Sequence, residues 1–159
     1  MNKIQSQIAD FGGGCFWGVE EVFRNTKGVL KTTVGYEGGH VDNPTYEQVC
    51  SHTTGHAETV RVEFDANKIS YKELLDIFFE NHDPTQLNRQ GLDVGYNYRS
   101  VVFYHNDNQK KEAEARIKAL NKSKKYKNKV VTQVVPATTF WQAEEYHQQY
   151  LHKRNLGVC

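Results

Sequence analysis

Three consecutive glycines at residues 12–14 interrupt the chain immediately before Cys15. Residues 4–11 alternate loosely between apolar and polar side chains, which predicts a strand that enters a tight turn requiring glycine. Beyond the turn, Val19 and Val22 follow Cys15 at spacings of four and three residues, and this spacing predicts a helix. The chain must therefore change from strand to helix within a few residues, with a cysteine at the helix N-terminus.

The remaining hydrophobic patterns predict a mixed set of elements. Strands are expected over residues 29–36, 56–64, 98–104 and 130–135, and helices over residues 71–81, 108–120 and 138–151. Residues 37–54 are expected to form a loop with one helical turn over 46–50, and the polar, aperiodic residues 85–97 a functional loop. Because strands and helices do not alternate regularly, we expect a single α+β domain, a two-layer sandwich with a mixed, mostly antiparallel sheet.

Composition excludes several classes of protein. The 159 residues are 38% apolar and 25% charged, which is enough hydrophobic material for a core and rules out a disordered chain. A net charge of +1 argues against nucleic acid or an anionic membrane as a partner. No long apolar run occurs and the first ten residues lack a signal-peptide layout, so we expect a cytoplasmic protein, and the absence of heptads favours a monomer.

Three cysteines cannot all pair within one chain, and a chain of this length needs no disulfides, so their roles are expected to be chemical. A helix N-terminus stabilises a thiolate, which would make Cys15 a nucleophile at neutral pH. The alternative is that Cys15 is a small buried hydrophobic residue. Phe16 and Trp17, which follow it, are consistent with either a ligand pocket or core packing.

Other side chains have both a chemical and a structural interpretation. Glu58 shares the apolar parity of its strand, so it either stays protonated as a proton donor or reaches water at the strand end. Asp93 is either a turn residue or part of a site. Tyr46 and Tyr98 either pack in the core or donate hydrogen bonds in a pocket.

Cys50, His52 and His56 have spacings compatible with zinc ligands, but no C-x-x-C motif accompanies them and a flexible turn explains them better. A zinc-binding module is therefore one alternative function. A cysteine hydrolase with His56 as base is another. Cys159 is either an incidental exposed thiol or a thiol that a mobile tail carries to another cysteine.

Several motifs resemble those of one family, in order from near residue 10 to near residue 157. They are Gly-Gly-Gly-Cys15-Phe16-Trp17-Gly, Gly-Tyr36-Glu-Gly-Gly, Pro44-Thr-Tyr46, Val-Cys50-Ser, Thr-Gly-His56-Ala-Glu58, His82-Asp-Pro-Thr-Gln, Asn-Arg-Gln-Gly, Tyr98-Arg-Ser and Ala143-Glu-Glu-Tyr-His-Gln-Gln-Tyr-Leu. Together they resemble the A-type peptide methionine sulfoxide reductases, which reduce one of the two sulfoxide epimers.

The resemblance implies a ferredoxin-like α+β core with long loops and no cofactor or metal. It implies that the enzyme reduces methionine S-sulfoxide, free or in proteins, and so repairs oxidised proteins. Cys15 would attack the sulfoxide sulfur and become a sulfenic acid. Glu58 would donate a proton to the sulfoxide oxygen, and Tyr46 and Tyr98 would hydrogen bond to that oxygen.

The resemblance also implies the binding and recycling residues. Phe16 and Trp17 would form the pocket for the substrate methyl group, and Asp93 would help to hold the site and the substrate. Cys159, in a mobile tail over about residues 153–159, would resolve the sulfenic acid by forming a disulfide with Cys15. Thioredoxin would then reduce this disulfide.

Overall fold

The computed structural model describes residues 3–154. Its strands are β1 (Ser6–Gly12), β2 (Val29–Glu37), β3 (Ala57–Asp65), β4 (Arg89–Gln90), β5 (Asp93–Val94), β6 (Val101–Tyr104), β7 (Gln133–Pro136) and β8 (Trp141–Gln142). Its α-helices are α1 (Phe16–Arg24), α2 (Tyr46–Cys50), α3 (Tyr71–Glu80), α4 (Asp107–Ser123) and α5 (Tyr150–Lys153). Single turns of 3₁₀ helix cover Tyr96–Tyr98 and Glu145–His147. None of the described helices is long and apolar enough to cross a membrane.

Six strands form the main sheet in the order β7-β6-β1-β3-β2-β8. Only the β6–β7 pair is parallel among the paired strands of this described sheet. The series β1-α1-β2-β3-α3-β6, with spatial order β6-β1-β3-β2, is the ferredoxin-like topology. The expected α+β fold with a mixed, mostly antiparallel sheet is confirmed.

The core lies between one face of the sheet and the helices. Phe11 of β1 is fully buried, and its ring stacks on Phe23 of α1 at a centroid distance of 5.2 Å and on Phe78 of α3 at 5.0 Å. Tyr71, at the start of α3, stacks on Phe11 from 6.0 Å. One strand side chain thus joins both helices to the sheet, and this contact holds the C-terminal turn of α1 against β1.

Local signals predicted α3 well. The Ser70 hydroxyl oxygen accepts a hydrogen bond from the Glu73 backbone N–H at 3.1 Å, and the Glu73 carboxylate accepts one from the Ser70 backbone N–H at 3.3 Å. This reciprocal capping box satisfies two backbone donors at the N-terminus of the helix. The helix ends at Glu80, one residue before the predicted end.

The prediction of one helix over residues 138–151 is wrong. Instead, β8 pairs with β2 through Gly35 and Tyr36, and the 3₁₀ turn and the short helix α5 follow. The side chain of Gln148 continues this pairing, because its amide accepts from the Val34 N–H at 2.9 Å and donates to the Val34 carbonyl at 3.0 Å. The backbone groups at the edge of β2 need hydrogen-bond partners, and β8 and the Gln148 side chain supply them. These tertiary contacts outweigh the helical periodicity of residues 138–151.

Smaller differences occur around the last strands of the core. Residues 85–97, expected to be a loop, contain the β4–β5 hairpin and the 3₁₀ turn. The strand expected over 98–104 begins only at Val101, and the strand expected over 130–135 lies at Gln133–Pro136. These shifts leave Tyr98 in a turn between the hairpin and the sheet, rather than inside a strand.

We expect Phe11→Ala to lower the free energy of unfolding by about 3–5 kcal/mol, because it leaves a cavity between three stacked rings. Urea denaturation measures this change. Ile4→Ala is the matched control, since Ile4 is exposed near the opposite end of β1 and should cost about 0.5 kcal/mol or less. Equal losses in the two variants would show that Phe11 does not anchor the core.

Candidate active site

The glycine turn delivers Cys15 to the start of α1. Gly14 has a φ of +87°, which glycine adopts without strain, and its N–H donates to the Tyr98 carbonyl at 3.1 Å. A Cβ on Gly12 would lie 3.0 Å from the backbone carbonyl oxygen of Glu58. The turn therefore allows β1 and β3 to approach closely and holds Cys15 beside residues from both neighbouring strands.

Glu58 is the second residue of β3 and is only 1% exposed. Its Oε1 accepts a hydrogen bond from the Phe16 N–H at 3.3 Å, and its Oε2 accepts one from the Asn97 side-chain amide at 3.1 Å. Burial raises the pKa of Glu58 to about 8, and the nearby charge of Asp93 adds to the rise. At neutral pH this carboxyl group therefore holds a proton. It is hydrogen bonded to Phe16, the residue that follows Cys15.

A cavity of about 270 Å³ opens beside the half-buried Cys15. It is lined by Gly13, Gly14, Cys15, Gly18, Val19, Val22, Asn81, His82, Gln90, Gly91 and Asp93. Burial lowers the pKa of His82 to about 4, so the ring is neutral, and its Nε2 is 2.7 Å from the Ser100 hydroxyl. The cavity thus has a thiol on one wall and the β4–β5 hairpin on another.

Phe16 and Trp17 lie in an aromatic cluster around His147. Trp17 Nε1 donates to His147 Nδ1 at 2.9 Å, and the Trp17 ring stacks on Tyr150 with centroids 3.7 Å apart. The buried Phe16 ring lies 5.2 Å from the His147 ring. Because His147 Nδ1 accepts a hydrogen bond from Trp17 and burial lowers the pKa of His147, the ring is neutral and carries its proton on Nε2.

Tyr46 precedes Glu58 in the sequence and Tyr98 follows it, and both tyrosines interact electrostatically with Glu58. Tyr46 begins α2, where its N–H donates to the Glu144 carboxylate at 3.0 Å, and its hydroxyl lies beside the Cys50 thiol. Burial raises the pKa of both tyrosines, and the charge of Glu58 adds to each rise. Both hydroxyls therefore stay protonated and can donate hydrogen bonds.

The sequence reasoning missed His147 and Glu144. Glu144 accepts hydrogen bonds from the Tyr36 hydroxyl at 2.8 Å and from the Tyr46 backbone, and it thereby ties the loop after β2 to the chain after β8. The available signal was the motif that begins at Ala143, but the wrong helix prediction for that segment placed both residues on an ordinary helix.

The His56 ring forms hydrogen bonds with backbone groups of the loop that follows β2. Its Nδ1 accepts from the Gly39 N–H at 2.9 Å, and its Nε2 donates to the Val41 carbonyl at 2.7 Å. Neither ring nitrogen is available to bind a metal or to take a proton from Cys15. Within residues 3–154, no group of three or more His, Cys, Asp or Glu side chains is placed to hold a metal ion.

The structure thus brings Cys15, Glu58, Tyr46, Tyr98 and Asp93 into one electrostatically coupled group. Phe16 and Trp17 adjoin this group from the first turn of α1. Cys159 and most of the expected tail lie outside the described residues, which end at Arg154.

Comparison with known proteins agrees with this arrangement. The family model described as peptide methionine sulfoxide reductase matches residues 7–159. The peptide methionine sulfoxide reductase MsrA of Methanosarcina acetivorans is 58% identical over 148 residues, which are 93% of this chain and 79% of that protein. The protein of the same name from Geobacter sulfurreducens is 56% identical over 151 residues, covering 95% and 93% of the two chains.

Solved structures give the same result. Reduced Mxr1 from Saccharomyces cerevisiae matches with a TM-score of 0.90 and 34% identity, over 98% of this chain and 89% of that one. Methionine sulfoxide reductase A of Corynebacterium diphtheriae matches with a TM-score of 0.85 and 37% identity, over 97% and 77%. The chain belongs to the peptide methionine sulfoxide reductase family. It is an oxidoreductase, of the A type within that family.

The burial of Glu58 predicts a pH-dependent stability difference between the wild type and Glu58→Gln. The stability that neutral Glu58 contributes is fully present below its ordinary pKa of 4.5 and is lost as pH rises through about 8, because the unfolded chain ionises first. Glutamine does not ionise. As the pH rises from 5 to 8.5, the Tm of the variant should therefore rise relative to the Tm of the wild type.

Differential scanning calorimetry across this range measures the difference. Glu63→Gln, on the same strand but partly exposed, separates the effect of burial from that of removing any carboxylate. A Tm difference for Glu58→Gln that stays constant with pH would show that Glu58 ionises at an ordinary pH in the folded protein.

Proposed function

We propose that this enzyme reduces methionine S-sulfoxide, free or within oxidised proteins, through a sulfenic acid on Cys15. The observation that carries the proposal is the hydrogen bond between the Phe16 N–H and the Glu58 carboxyl, which holds a proton-retaining acid beside the cysteine. A sulfoxide oxygen leaves poorly unless it is protonated. The reaction therefore needs a thiol and an acid at neighbouring positions.

In the proposed step, the Cys15 sulfur attacks the sulfoxide sulfur while Glu58 delivers its proton to the sulfoxide oxygen. The S–O bond of the substrate then breaks and its oxygen bonds to the Cys15 sulfur. The S–S bond formed by the attack breaks as methionine is released, and the thiol has become a sulfenic acid. The substrate sulfur is reduced by two electrons and the cysteine sulfur is oxidised by two. The proton of the Cys15 thiol moves to Glu58 and restores its protonated form. A second thiol can then attack the sulfenic acid.

The surrounding groups have matching roles in this proposal. The hydroxyls of Tyr46 and Tyr98 retain their protons and would donate hydrogen bonds to the sulfoxide oxygen as negative charge develops on it. The rings of Phe16 and Trp17 would hold the substrate methyl group against an apolar wall. Asp93, on the cavity wall, would bind the polar part of the substrate.

Recycling requires a second thiol, and we propose Cys159. Attack of the Cys159 sulfur on the Cys15 sulfenic acid forms a disulfide and releases water. Cys50 is the competing candidate, but burial raises the pKa of its thiol, and the charges of Glu58 and Glu144 add to the rise. A thiol held in its protonated form is a poor attacking group, which favours Cys159.

We propose thioredoxin as the reductant of the Cys15–Cys159 disulfide. A structure of Saccharomyces cerevisiae Mxr1 in complex with Trx2 shares the fold of this chain, with a TM-score of 0.65 at 24% identity. The proposal rests on the chemistry, because an intramolecular disulfide requires a dithiol reductant for each turnover.

The direct test is a single turnover with each epimer of methionine sulfoxide, without reductant. The wild type should release about one methionine from the S epimer, and its three thiols should fall to one as the disulfide forms. Cys15→Ser should release none, because a serine hydroxyl cannot form a sulfenic acid. Glu58→Gln should slow the step by roughly 10²-fold, the usual scale for a lost general acid.

Free R epimer in place of the S epimer is the matched control for the substrate. Methionine release by Cys15→Ser above about 1% of the wild-type amount would identify another nucleophile. An unchanged single-turnover rate in Glu58→Gln would remove that residue from the mechanism.

Cys159→Ser is expected to release about one methionine and then stall with thioredoxin, because the sulfenic acid still forms but no disulfide follows. Cys50→Ser is the matched control and should continue to turn over at the wild-type rate. The measurement is thioredoxin-coupled turnover together with thiol counting. The reverse pattern, with turnover in Cys159→Ser and a stall in Cys50→Ser, would transfer the resolving role to Cys50.

A further inference from the structure

Arg99 is a buried cation that has no carboxylate partner within residues 3–154. It is 3% exposed, whereas the more exposed Arg24, Arg61 and Arg116 each lie between 2.7 and 2.9 Å from a carboxylate oxygen. Burying a cation is costly unless an anion or hydrogen-bond acceptors compensate for the lost water. The most buried of these four arginines is therefore the one that lacks a compensating anion in the described part of the chain.

Two hydrogen bonds hold the Arg99 guanidinium in place. Nε donates to the Gln133 side-chain oxygen at 3.1 Å, and Nη1 donates to the Tyr96 carbonyl at 2.9 Å. The guanidinium also lies over the Tyr96 ring, 3.9 Å from its centroid. A guanidinium has five N–H donors, of which these bonds use two. The other donors on Nη1 and Nη2 have no acceptor among the described residues.

Arg99 lines a cavity of about 540 Å³, which is within the usual size range of small-molecule sites. Its apolar walls come from Phe103 of β6 and from Val134, Val135 and Pro136 of β7. Arg99 is the one charged residue among the described residues that line it. The cavity therefore combines a single cation with a largely aliphatic surface.

A glycine keeps one side of the guanidinium accessible. Gly38 also lines the cavity, and a Cβ on this residue would lie 3.0 Å from Arg99 Nη2. A side chain at this position would cover the nitrogen. The neighbouring Glu37 does not oppose an anion, because burial raises its pKa to about 9 and the carboxyl group is neutral at pH 7.

This cavity is separate from the one that contains Cys15, because the two share no lining residue. It lies along the parallel pair β6–β7, at one edge of the main sheet. The 3₁₀ turn Tyr96–Tyr98 stands between the two regions, since Asn97 donates to Glu58 while the Tyr96 carbonyl accepts from Arg99. A ligand beside Arg99 would therefore not occupy the space of the sulfoxide.

The chemistry of the cavity indicates the class of ligand. A carboxylate presents two oxygens in the geometry that matches a guanidinium, and its single negative charge balances one cation. A phosphate dianion would need a second cation, which the described lining residues do not supply. The aliphatic walls match a hydrocarbon body on the same molecule.

We propose that this cavity binds a small organic monocarboxylate, with the carboxylate on the Arg99 guanidinium and the hydrocarbon body against Phe103, Val134 and Val135. The Gln133 side chain contributes to the polar end, because its oxygen accepts from Arg99 Nε and its amide N–H groups can donate to the same carboxylate. The site is additional to the sulfoxide site and independent of the mechanism proposed for Cys15.

The test is a titration of the full chain with hexanoate, followed by backbone-amide NMR in a low-salt buffer that contains no other carboxylate or phosphate. Saturable shifts are expected at residues 99 and 133–135 and not at residues 13–18, with a Kd of about 1 mM or below. Hexanamide has a similar hydrocarbon body without the charge and should bind about tenfold more weakly or less. Inorganic phosphate should also bind more weakly than hexanoate.

Gln133→Glu is the decisive variant, because an isosteric side chain then places a carboxylate on the Arg99 guanidinium. It should fold with an unchanged or raised Tm and should weaken hexanoate binding about tenfold or more. Gln142→Glu is the matched control, since it adds the same charge in β8 at the opposite edge of the sheet and should bind hexanoate like the wild type. Arg99→Met removes the cation and should also abolish binding, with its Tm measured to confirm that it folds.

Several results would overturn the proposal. Equal binding of hexanoate and hexanamide would show that the Arg99 charge does not recognise the ligand, and tighter binding of phosphate would make this a phosphate site. Shifts confined to residues 13–18 and 90–93 would assign hexanoate to the Cys15 cavity. Wild-type affinity in Gln133→Glu, or no saturable shift at ten times the expected Kd, would equally contradict it. None of these results depends on whether the protein reduces methionine sulfoxide.

Discussion

The hydrogen bond from the Phe16 N–H to the Glu58 carboxyl connects helix α1 to the sheet. It joins the first residue of α1 to the second residue of β3, 42 residues apart in sequence. The close approach depends on the glycines before Cys15, since a side chain at Gly12 would collide with the backbone of Glu58. Helix start, sheet and buried acid therefore form one unit, and a change in any of them displaces the thiol relative to the acid.

Two buried carboxyl groups in the same sheet show that the hydrogen-bond partners of a carboxyl group determine whether it is protonated. Burial alone would raise the pKa of Asp10, but Arg61, with hydrogen bonds of 2.9 Å to both carboxylate oxygens, and His105 hold it below its ordinary value. Glu58 is buried to the same degree, but its hydrogen bonds within the described residues come from the neutral Phe16 N–H and Asn97 amide groups, so desolvation prevails. Asp10 lies on the face away from the helices and has a structural role, whereas Glu58 retains a proton for chemistry.

Prediction from sequence succeeded where the determining contacts are local. The capping box of Ser70 and Glu73 and the alternation of buried and half-buried residues over 60–64 in β3 depend on residues a few positions apart, and both were predicted. The prediction that Thr59 faces outward is wrong, because Thr59 is fully buried. Prediction failed over residues 138–151, where the partner of the chain is the edge of β2, about one hundred residues earlier. His147 was missed for the same reason, because its contacts to Trp17 and Phe16 exist only once the chain returns across α1.

The sequence by itself determined the fold class, the position of Cys15 at a helix start and the inward face of Glu58, because strand and helix periodicity and glycine turns are properties of neighbouring residues. Only the tertiary structure decided that Glu58 accepts its hydrogen bonds from two neutral groups and that the β4–β5 hairpin places Asp93 on the wall of the Cys15 cavity. Protonation and surface exposure depend on which distant groups surround a side chain. Those groups are brought together by the packing of the whole domain, which no local pattern specifies.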